Sequence, residues 1–125
     1  MKKFLIAALL AFAMTAQADN VMTKTQDGTY IVNTTTLAQD VEGYAGATPL
    51  EVHIKKNKIV KVVVLKNQDG SKYNAKVKKQ MLPNYEGMNV KKGVGDVDAV
   101  TGATFTSKAM QENIRRAVDY YKKHK

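Results

Sequence analysis

Apolar and polar residues alternate in the middle of the chain. Leu50, Val52 and Ile54 are separated by polar residues, so a period of two places them on one face of a half-buried strand. The next run, 59–65, is rich in β-branched residues, and the short link 55–58 separates it from the first. Two such runs joined by so short a link predict a β-hairpin. The sheet therefore begins antiparallel.

Helical spacing replaces this alternation further along the chain. Asp69 opens a helix-start signal, after which Tyr73, Val77 and Met81 follow at intervals of four residues. Pro83 cannot continue a helix, so we expect the helix to end before it. These positions predict an amphipathic helix with its apolar face toward the sheet.

A long loop and a second helix complete the pattern. Residues 83–100 contain proline and glycine with little periodicity, and one short strand is expected near 88–90. A loop of this length in a small domain usually borders a functional site. An amphipathic helix is predicted from about 106 to 122, a first strand over 29–32, and a frayed polar segment from 19 to 28. The predicted fold class is α+β, an antiparallel sheet with packed helices.

The N-terminus has the pattern of an export signal. Lys2 and Lys3 precede an apolar run over 4–14 and an Ala-x-Ala sequence that ends at Ala18. This pattern predicts a cleaved signal peptide over 1–18, one domain over 19–125, and a periplasmic or other extracytoplasmic location. An uncleaved anchor is the alternative, although the run is shorter than the roughly 20 residues that span a bilayer.

Composition narrows the chemistry. The chain has 125 residues, a formal net charge of +9 and no cysteine, which excludes disulfide frameworks, thiolate zinc sites and cysteine nucleophiles. Loss of Lys2 and Lys3 with the signal peptide leaves the domain basic. Outside the cytosol this charge favours a phosphate-bearing ligand or an anionic membrane surface, and we expect no nucleic-acid partner. We also find no metal-ligand cluster and no catalytic triad.

Candidate chemistry concentrates in residues 98–107, directly before the last helix. Gly102 permits a turn that other residues resist, Ala103 lets a bulky group approach, and the hydroxyls of Thr104, Thr106 and Ser107 lie at the helix entrance. Amides at a helix N-terminus, with the helix dipole behind them, bind phosphate. These residues predict a phosphate clamp. The alternative from the same residues is that they only cap the helix.

The segment from Asp98 to Thr104 matches the pattern D-x-x-[ST]-G-A-[TS] of the FMN-binding domain family. That family includes the flavin-bearing subunits of sodium-pumping quinone reductases and of Rnf electron-transport complexes. The chain also resembles a stand-alone domain of this kind in Asp27–Tyr30, in Gly43–Tyr44, in the hairpin and in the last helix. The resemblance covers nearly the whole predicted domain.

The resemblance implies FMN as cofactor and assigns the site residues. In the family, a flavin transferase joins the FMN phosphate as a phosphoester to the last hydroxyl of the motif, here Thr104. Asp98, Thr101, Gly102 and Ala103 occupy the other fixed positions. Asp98 either positions a metal ion of the transferase or fixes the loop by accepting backbone N–H bonds. Non-covalent FMN is the alternative to the ester.

A second segment, Glu42–Thr48, imitates the motif. It has Ala45 where the motif needs the hydroxyl of Thr101, and Pro49 leads into a strand and not into a helix. We therefore interpret Thr48 as a turn residue.

The isoalloxazine ring of FMN needs an apolar wall. Candidates lie in or beside the loops that we expect to converge on Thr104. Each suits the core better than a ring contact, except Tyr44 and Tyr85, which suit the two roles equally. The full set is Tyr44, Met81, Leu82, Tyr85, Met88 and Phe105.

The sequence thus predicts an exported FMN-binding protein, covalently flavinylated, that relays electrons to a redox partner protein or a membrane electron-transport complex. Two alternatives remain: a flavin reductase that binds FMN reversibly, and a basic secreted binding module without cofactor. A carrier fits better than an enzyme because no nicotinamide-binding segment or proton donor stands out.

Overall fold

The computed structural model describes residues 21–125, so the predicted signal peptide over 1–18 lies outside the described residues. Four strands form one antiparallel sheet in the order β1-β2-β3-β4, and helices cover it. This architecture confirms the predicted α+β class. The elements are β1 Met22–Lys24, β2 Tyr30–Asn33, β3 Leu50–Lys55, β4 Lys58–Val64, α1 Ser71–Gln80, a short 3-10 helix Leu82–Tyr85, and α2 Thr104–His124.

The predicted hairpin is present as β3 and β4. Alternation in β3 buries its three apolar residues, as expected. The turn between the strands contains Lys56 and Asn57, both with positive φ, which is the conformation of a two-residue hairpin turn. In β4, Ile59 and Val62 pair with inward residues of β3 although they are three positions apart. Val60 lies between them as a bulge and is left exposed.

The segment before β2 is paired and not frayed. Residues 22–24 form β1, which pairs with β2 along its whole length. The connecting turn is held by Asp27, whose carboxylate accepts the N–H of Thr29 at 3.2 Å and the hydroxyl of Thr25. The prediction of a frayed segment is therefore wrong over residues 21–28. Three residues are too few to show alternation, and pairing with β2 orders them.

The loop 83–100 is more structured than expected. Its first residues form the 3-10 helix, and the predicted strand near 88–90 is reduced to one bridge between Lys58 and Asn89. The N–H of Ile59 donates to the carbonyl of Met88 at 2.9 Å, so the loop runs along the outer edge of β4. After the loop, α2 begins at Thr104, two residues earlier than predicted.

The core lies between the sheet and the two helices. Inward residues of β2, β3 and β4 meet the apolar faces of α1 and α2 in one continuous cluster. Its fully buried members include Val32, Leu50, Val52, Ile54, Ile59, Val77, Met81, Met110, Ile114 and Val118. Within residues 21–125, neither helix combines the length and the apolar character that crossing a bilayer requires.

Asp69, between β4 and α1, joins distant segments through a buried carboxylate. Its Oδ2 accepts the N–H of Tyr44 at 2.9 Å and the hydroxyl of Thr106 at 2.6 Å, and its Oδ1 accepts the N–H of Ala45 at 2.7 Å. The loop 43–46 is thereby tied to the first turn of α2. Gly43 has to lack a side chain because a Cβ there would overlap Asp69 Oδ2.

The helix start predicted at Asp69–Ser71 is confirmed, because α1 begins at Ser71 with Gly70 as its N-cap residue. No side chain of residues 21–125 caps α1, and the carboxylate of Asp69 has the tertiary role described above, which the sequence pattern did not predict. Burial acts to raise the pKa of Asp69, but the hydrogen bonds from Thr106 and from backbone amides of the 43–46 loop outweigh it. The pKa of Asp69 therefore lies below its ordinary value of 3.8.

Replacing Asp69 is expected to lower stability in a pH-dependent way. Asp69→Asn leaves two buried donors poorly paired and should lower the free energy of unfolding at pH 7 by about 1–3 kcal/mol. A lowered folded-state pKa contributes stability above the unfolded pKa, and this contribution is lost as the pH falls through 3.8 toward the folded value. The gap between variant and wild type should thus narrow below about pH 4. Urea unfolding across this range measures it. Glu42→Gln, at an exposed residue directly before the loop 43–46, is the control and should change the free energy of unfolding little.

A difference in unfolding free energy between Asp69→Asn and wild type that does not vary with pH would contradict the role of the Asp69 charge.

Two buried threonines should respond in opposite ways to the loss of their hydroxyls. The Thr34 hydroxyl accepts the N–H of Leu50 at 2.8 Å and donates to Asn113, whereas the buried Thr48 hydroxyl has no partner within residues 21–125. Thr34→Val is expected to lower the free energy of unfolding by about 1–3 kcal/mol, and Thr48→Val to raise it by up to about 1 kcal/mol. Thermal and urea unfolding of both variants measure these two changes in the free energy of unfolding. Equal losses in the two would show that hydrogen bonding is not the cause.

Candidate functional site

The turn before α2 has the shape that the motif predicts. Gly102 adopts a φ of +88°, a conformation that side chains other than glycine resist. Ala103 is buried as the N-cap residue, and its N–H donates to the carbonyl of Val100 at 3.0 Å. The chain thus reverses tightly and enters a helix of 21 residues.

The hydroxyls at the start of α2 divide into two roles. Thr106 is buried and donates to Asp69, and the buried Ser107 Oγ accepts the N–H of Val100 at 3.0 Å. Both hydroxyls therefore hold the turn in place. Thr104 is exposed, at the first position of the helix. Within the first turn of α2, Thr104 is the one hydroxyl-bearing residue that is exposed.

The backbone amides at the start of α2 are not capped by a side chain of residues 21–125, and its first turn contains no acidic residue of its own. The Asp69 carboxylate reaches this turn through the Thr106 hydroxyl. The first N–H groups of a helix have no intrahelical partner and carry the positive end of the dipole. A lysine lies beside them: a Cβ built on Gly102 would be 2.9 Å from Lys76 Nζ. This concentration of positive potential and donors suits a phosphate.

Aromatic rings surround a cavity of about 240 Å³ next to this helix start. Tyr44 and Phe105 are 62% and 66% exposed, the two largest exposed apolar side chains in the described part of the chain. The ring of Tyr44 packs on Tyr73 with centroids 5.0 Å apart. The cavity is lined by Tyr44, Tyr73, Gly102, Ala103, Thr104, Phe105 and Thr106.

Two motif residues lie outside this cavity. Asp98 and Thr101 are exposed in the preceding loop. Within residues 21–125, Asp98 accepts no hydrogen bond, so the loop-fixing role considered for it is not observed. Ser107 and Asp69 fix the loop and the helix start in its place.

The structure separates the two favoured ring-wall tyrosines. Tyr44 lines the cavity, whereas Tyr85 is 2% exposed and lies in the core, on the side of α2 that carries Lys108 and Arg115. Burial, with a smaller contribution from Asp96, raises the pKa of Tyr85 to about 12. The periodicity of a loop could not indicate which way its tyrosine points.

Of the remaining ring-wall candidates, Phe105 lines the cavity and the others do not. Met81 and Leu82 are buried in the core, and Met88 packs against it near Gly95. Thr48, in the segment that imitates the motif, is fully buried ahead of β3. It is therefore a poor acceptor for any bulky group.

Sequence reasoning missed three residues of the site. Tyr73 has core-like helical spacing, Lys76 resembles its solvated neighbours on α1, and Asp69 resembles a helix cap. Each acts on a segment distant in sequence, so local patterns carry no signal for it. The one available hint is the pair of glycines, Gly43 and Gly102, that make room for Asp69 and Lys76.

The residues present fit FMN. The helix start, the Thr104 hydroxyl and the Lys76 ammonium could hold a phosphate, and the cavity between the exposed rings of Tyr44 and Phe105 could take part of an isoalloxazine ring.

Comparison with known proteins supports this assignment. The model of the FMN-binding domain family matches residues 43–119, which is more than half of the chain and runs from Gly43 through the motif into α2. Searches of curated proteins and of solved structures gave no match. The matched region contains the whole cavity described above. The chain therefore belongs to the FMN-binding domain family, and FMN is the cofactor that this membership supports.

Proposed function

We propose that the protein is an extracytoplasmic electron carrier that holds FMN through a phosphoester to Thr104. The observation that carries the proposal is that Thr104 is exposed at a helix N-terminus that no side chain of residues 21–125 caps, beside two hydroxyls that are already hydrogen-bonded. Of the hydroxyls in this turn of α2, Thr104 alone is on the surface for a transferase to reach.

Ester formation needs a second protein. An alcohol oxygen is a weak nucleophile, so a flavin transferase has to remove the Thr104 proton and supply an FMN-bearing phosphoanhydride. The bond from Thr104 Oγ to phosphorus forms as the phosphoanhydride bond breaks, and the other half of the donor leaves as a nucleoside monophosphate, with no change of oxidation state. The added mass is FMN less one water.

A tether suits a carrier in a dilute compartment. Covalent attachment replaces a dissociation equilibrium with an effective local concentration on the order of millimolar. The predicted signal peptide over 1–18 supports export, where released flavin would be lost. Bound FMN supplies one- and two-electron redox chemistry, and the surrounding residues set its access and potential.

The size of the cavity favours electron relay over enclosed catalysis. Pockets that enclose a drug-sized ligand measure about 300–1,000 Å³, whereas this cavity measures about 240 Å³. A flavin held there keeps part of its ring on the surface, within reach of a redox partner protein or a membrane electron-transport complex.

Flavinylation is expected to require Thr104. The chain is produced with and without a flavin transferase and denatured, and its mass and peptides are measured. We expect FMN less one water on the peptide that contains Thr104, complete loss in Thr104→Ala, and retention in Thr104→Ser. Thr36→Ala, an exposed threonine far along the chain, is the matched control.

Other outcomes lead to other functions. Flavin that is released on denaturation indicates reversible binding, and nicotinamide oxidation by the chain alone then indicates a flavin reductase. Colourless protein under all conditions indicates a binding module without cofactor. A label on Thr48 would refute the site assignment while leaving the function intact.

The exposed aromatic residues are expected to hold the flavin ring in a fixed orientation. Tyr44→Ala and Phe105→Ala should each reduce the induced circular dichroism of the flavin absorption bands, because the ring then rotates about its tether. Val60→Ala removes the third large exposed apolar side chain, on the bulge of β4, and serves as the control. Unchanged spectra in both aromatic variants would place the ring elsewhere.

A further inference from the structure

We infer that Lys76, whose ammonium lies beside Gly102, binds the phosphate of the flavin ester. The inference rests on the proposed function and names a residue outside the motif. It assigns to α1 a part in a site that the motif places wholly in the turn before α2.

Geometry is the first support. Lys76 lies in α1, yet a Cβ on Gly102 would be 2.9 Å from its Nζ. Gly102 directly precedes the N-cap residue of α2, and Thr104 directly follows it. The ammonium therefore lies at the same end of α2 as the acceptor hydroxyl. A side chain at position 102 would have to displace the end of this flexible lysine.

The charge surroundings are the second support. Within residues 21–125, the ion pairs closer than 4.0 Å do not include Lys76. The first turn of α2 contains no acidic residue. The Asp69 carboxylate is bonded to Thr106 in this turn and forms no ion pair with Lys76. The Lys76 ammonium thus lies at the positive end of a long helix, where cations are unfavourable. A phosphate bound between the ammonium and the helix start reduces this repulsion.

Neighbouring lysines do not share this placement. Lys72, Lys78 and Lys79 are exposed, whereas Lys76 is half-buried. Its ammonium lies beside Gly102 in the turn before α2. Lysine is a compact point charge suited to phosphate, as in other phosphate sites.

Inorganic phosphate tests the inference without flavin. The chain is titrated with phosphate and the amide resonances of Thr104, Phe105 and Thr106 are followed by NMR. We expect saturable shifts in the wild type, about three- to fivefold weaker binding in Lys76→Gln, and near wild-type binding in Lys76→Arg. Lys79→Gln, an exposed lysine of the same helix, is the control and should match the wild type.

Thermal unfolding gives a second readout, because the effect of Lys76→Gln on the melting temperature should differ between the bare and the flavinylated chain. In the bare chain, Lys76→Gln should leave the melting temperature unchanged or raise it, because it removes a cation from the helix start. In the flavinylated chain the same variant should lower it, because the phosphate loses its counter-ion. Lys79→Gln should shift both forms equally.

The outcomes separate this inference from the proposed function. Equal phosphate binding by wild type and Lys76→Gln, or no shift of the three amides in the wild type, overturns the inference. Flavinylation at Thr104 can still succeed in that case. Failure of the transferase to modify Thr104, with phosphate binding that depends on Lys76, overturns the ester and leaves the phosphate site.

Discussion

The buried carboxylate of Asp69 is the interaction on which the arrangement of the site depends. It links the loop that carries Tyr44 to the first turn of α2, two segments far apart in sequence. The Asp69 carboxylate and the Thr106 hydroxyl are both buried, so their hydrogen bond is more costly to break than a surface contact. The cavity between Tyr44 and the helix start exists because this link holds its two sides together. Only a residue that accepts three bonds at once can do so, and a carboxylate has that capacity.

The motif before α2 combines support and function in adjacent residues. Thr106 and Ser107 use their hydroxyls within the fold, and Gly102 and Ala103 shape the turn. Thr104 is thereby presented at the surface by neighbours that are fully engaged. From the sequence alone, the hydroxyls of Thr104, Thr106 and Ser107 are equivalent. Their different partners, supplied by Asp69 and Val100, distinguish them.

Local patterns predicted the elements whose order is local. The alternation in β3, the short link to β4 and the spacing of Tyr73, Val77 and Met81 were sufficient for the hairpin and α1. The strand over 22–24 was not predicted, because an edge strand of this length is ordered by pairing with its neighbour. Tyr85 and Asp69 were misjudged for a related reason. Loop geometry and tertiary hydrogen bonds determine where such side chains lie, and the adjacent residues in the sequence indicate neither.

The lack of room for a side chain at Gly43 has a consequence for recognition. The backbone of Gly43 lies against Asp69, and the Gly43 N–H donates to the carbonyl of Gly46. The backbone of the loop 43–46, which carries Tyr44, is therefore fixed when the chain folds. A ligand arriving at the cavity meets one wall that is already rigid. The conformational entropy of that wall is lost during folding, so association need not supply it.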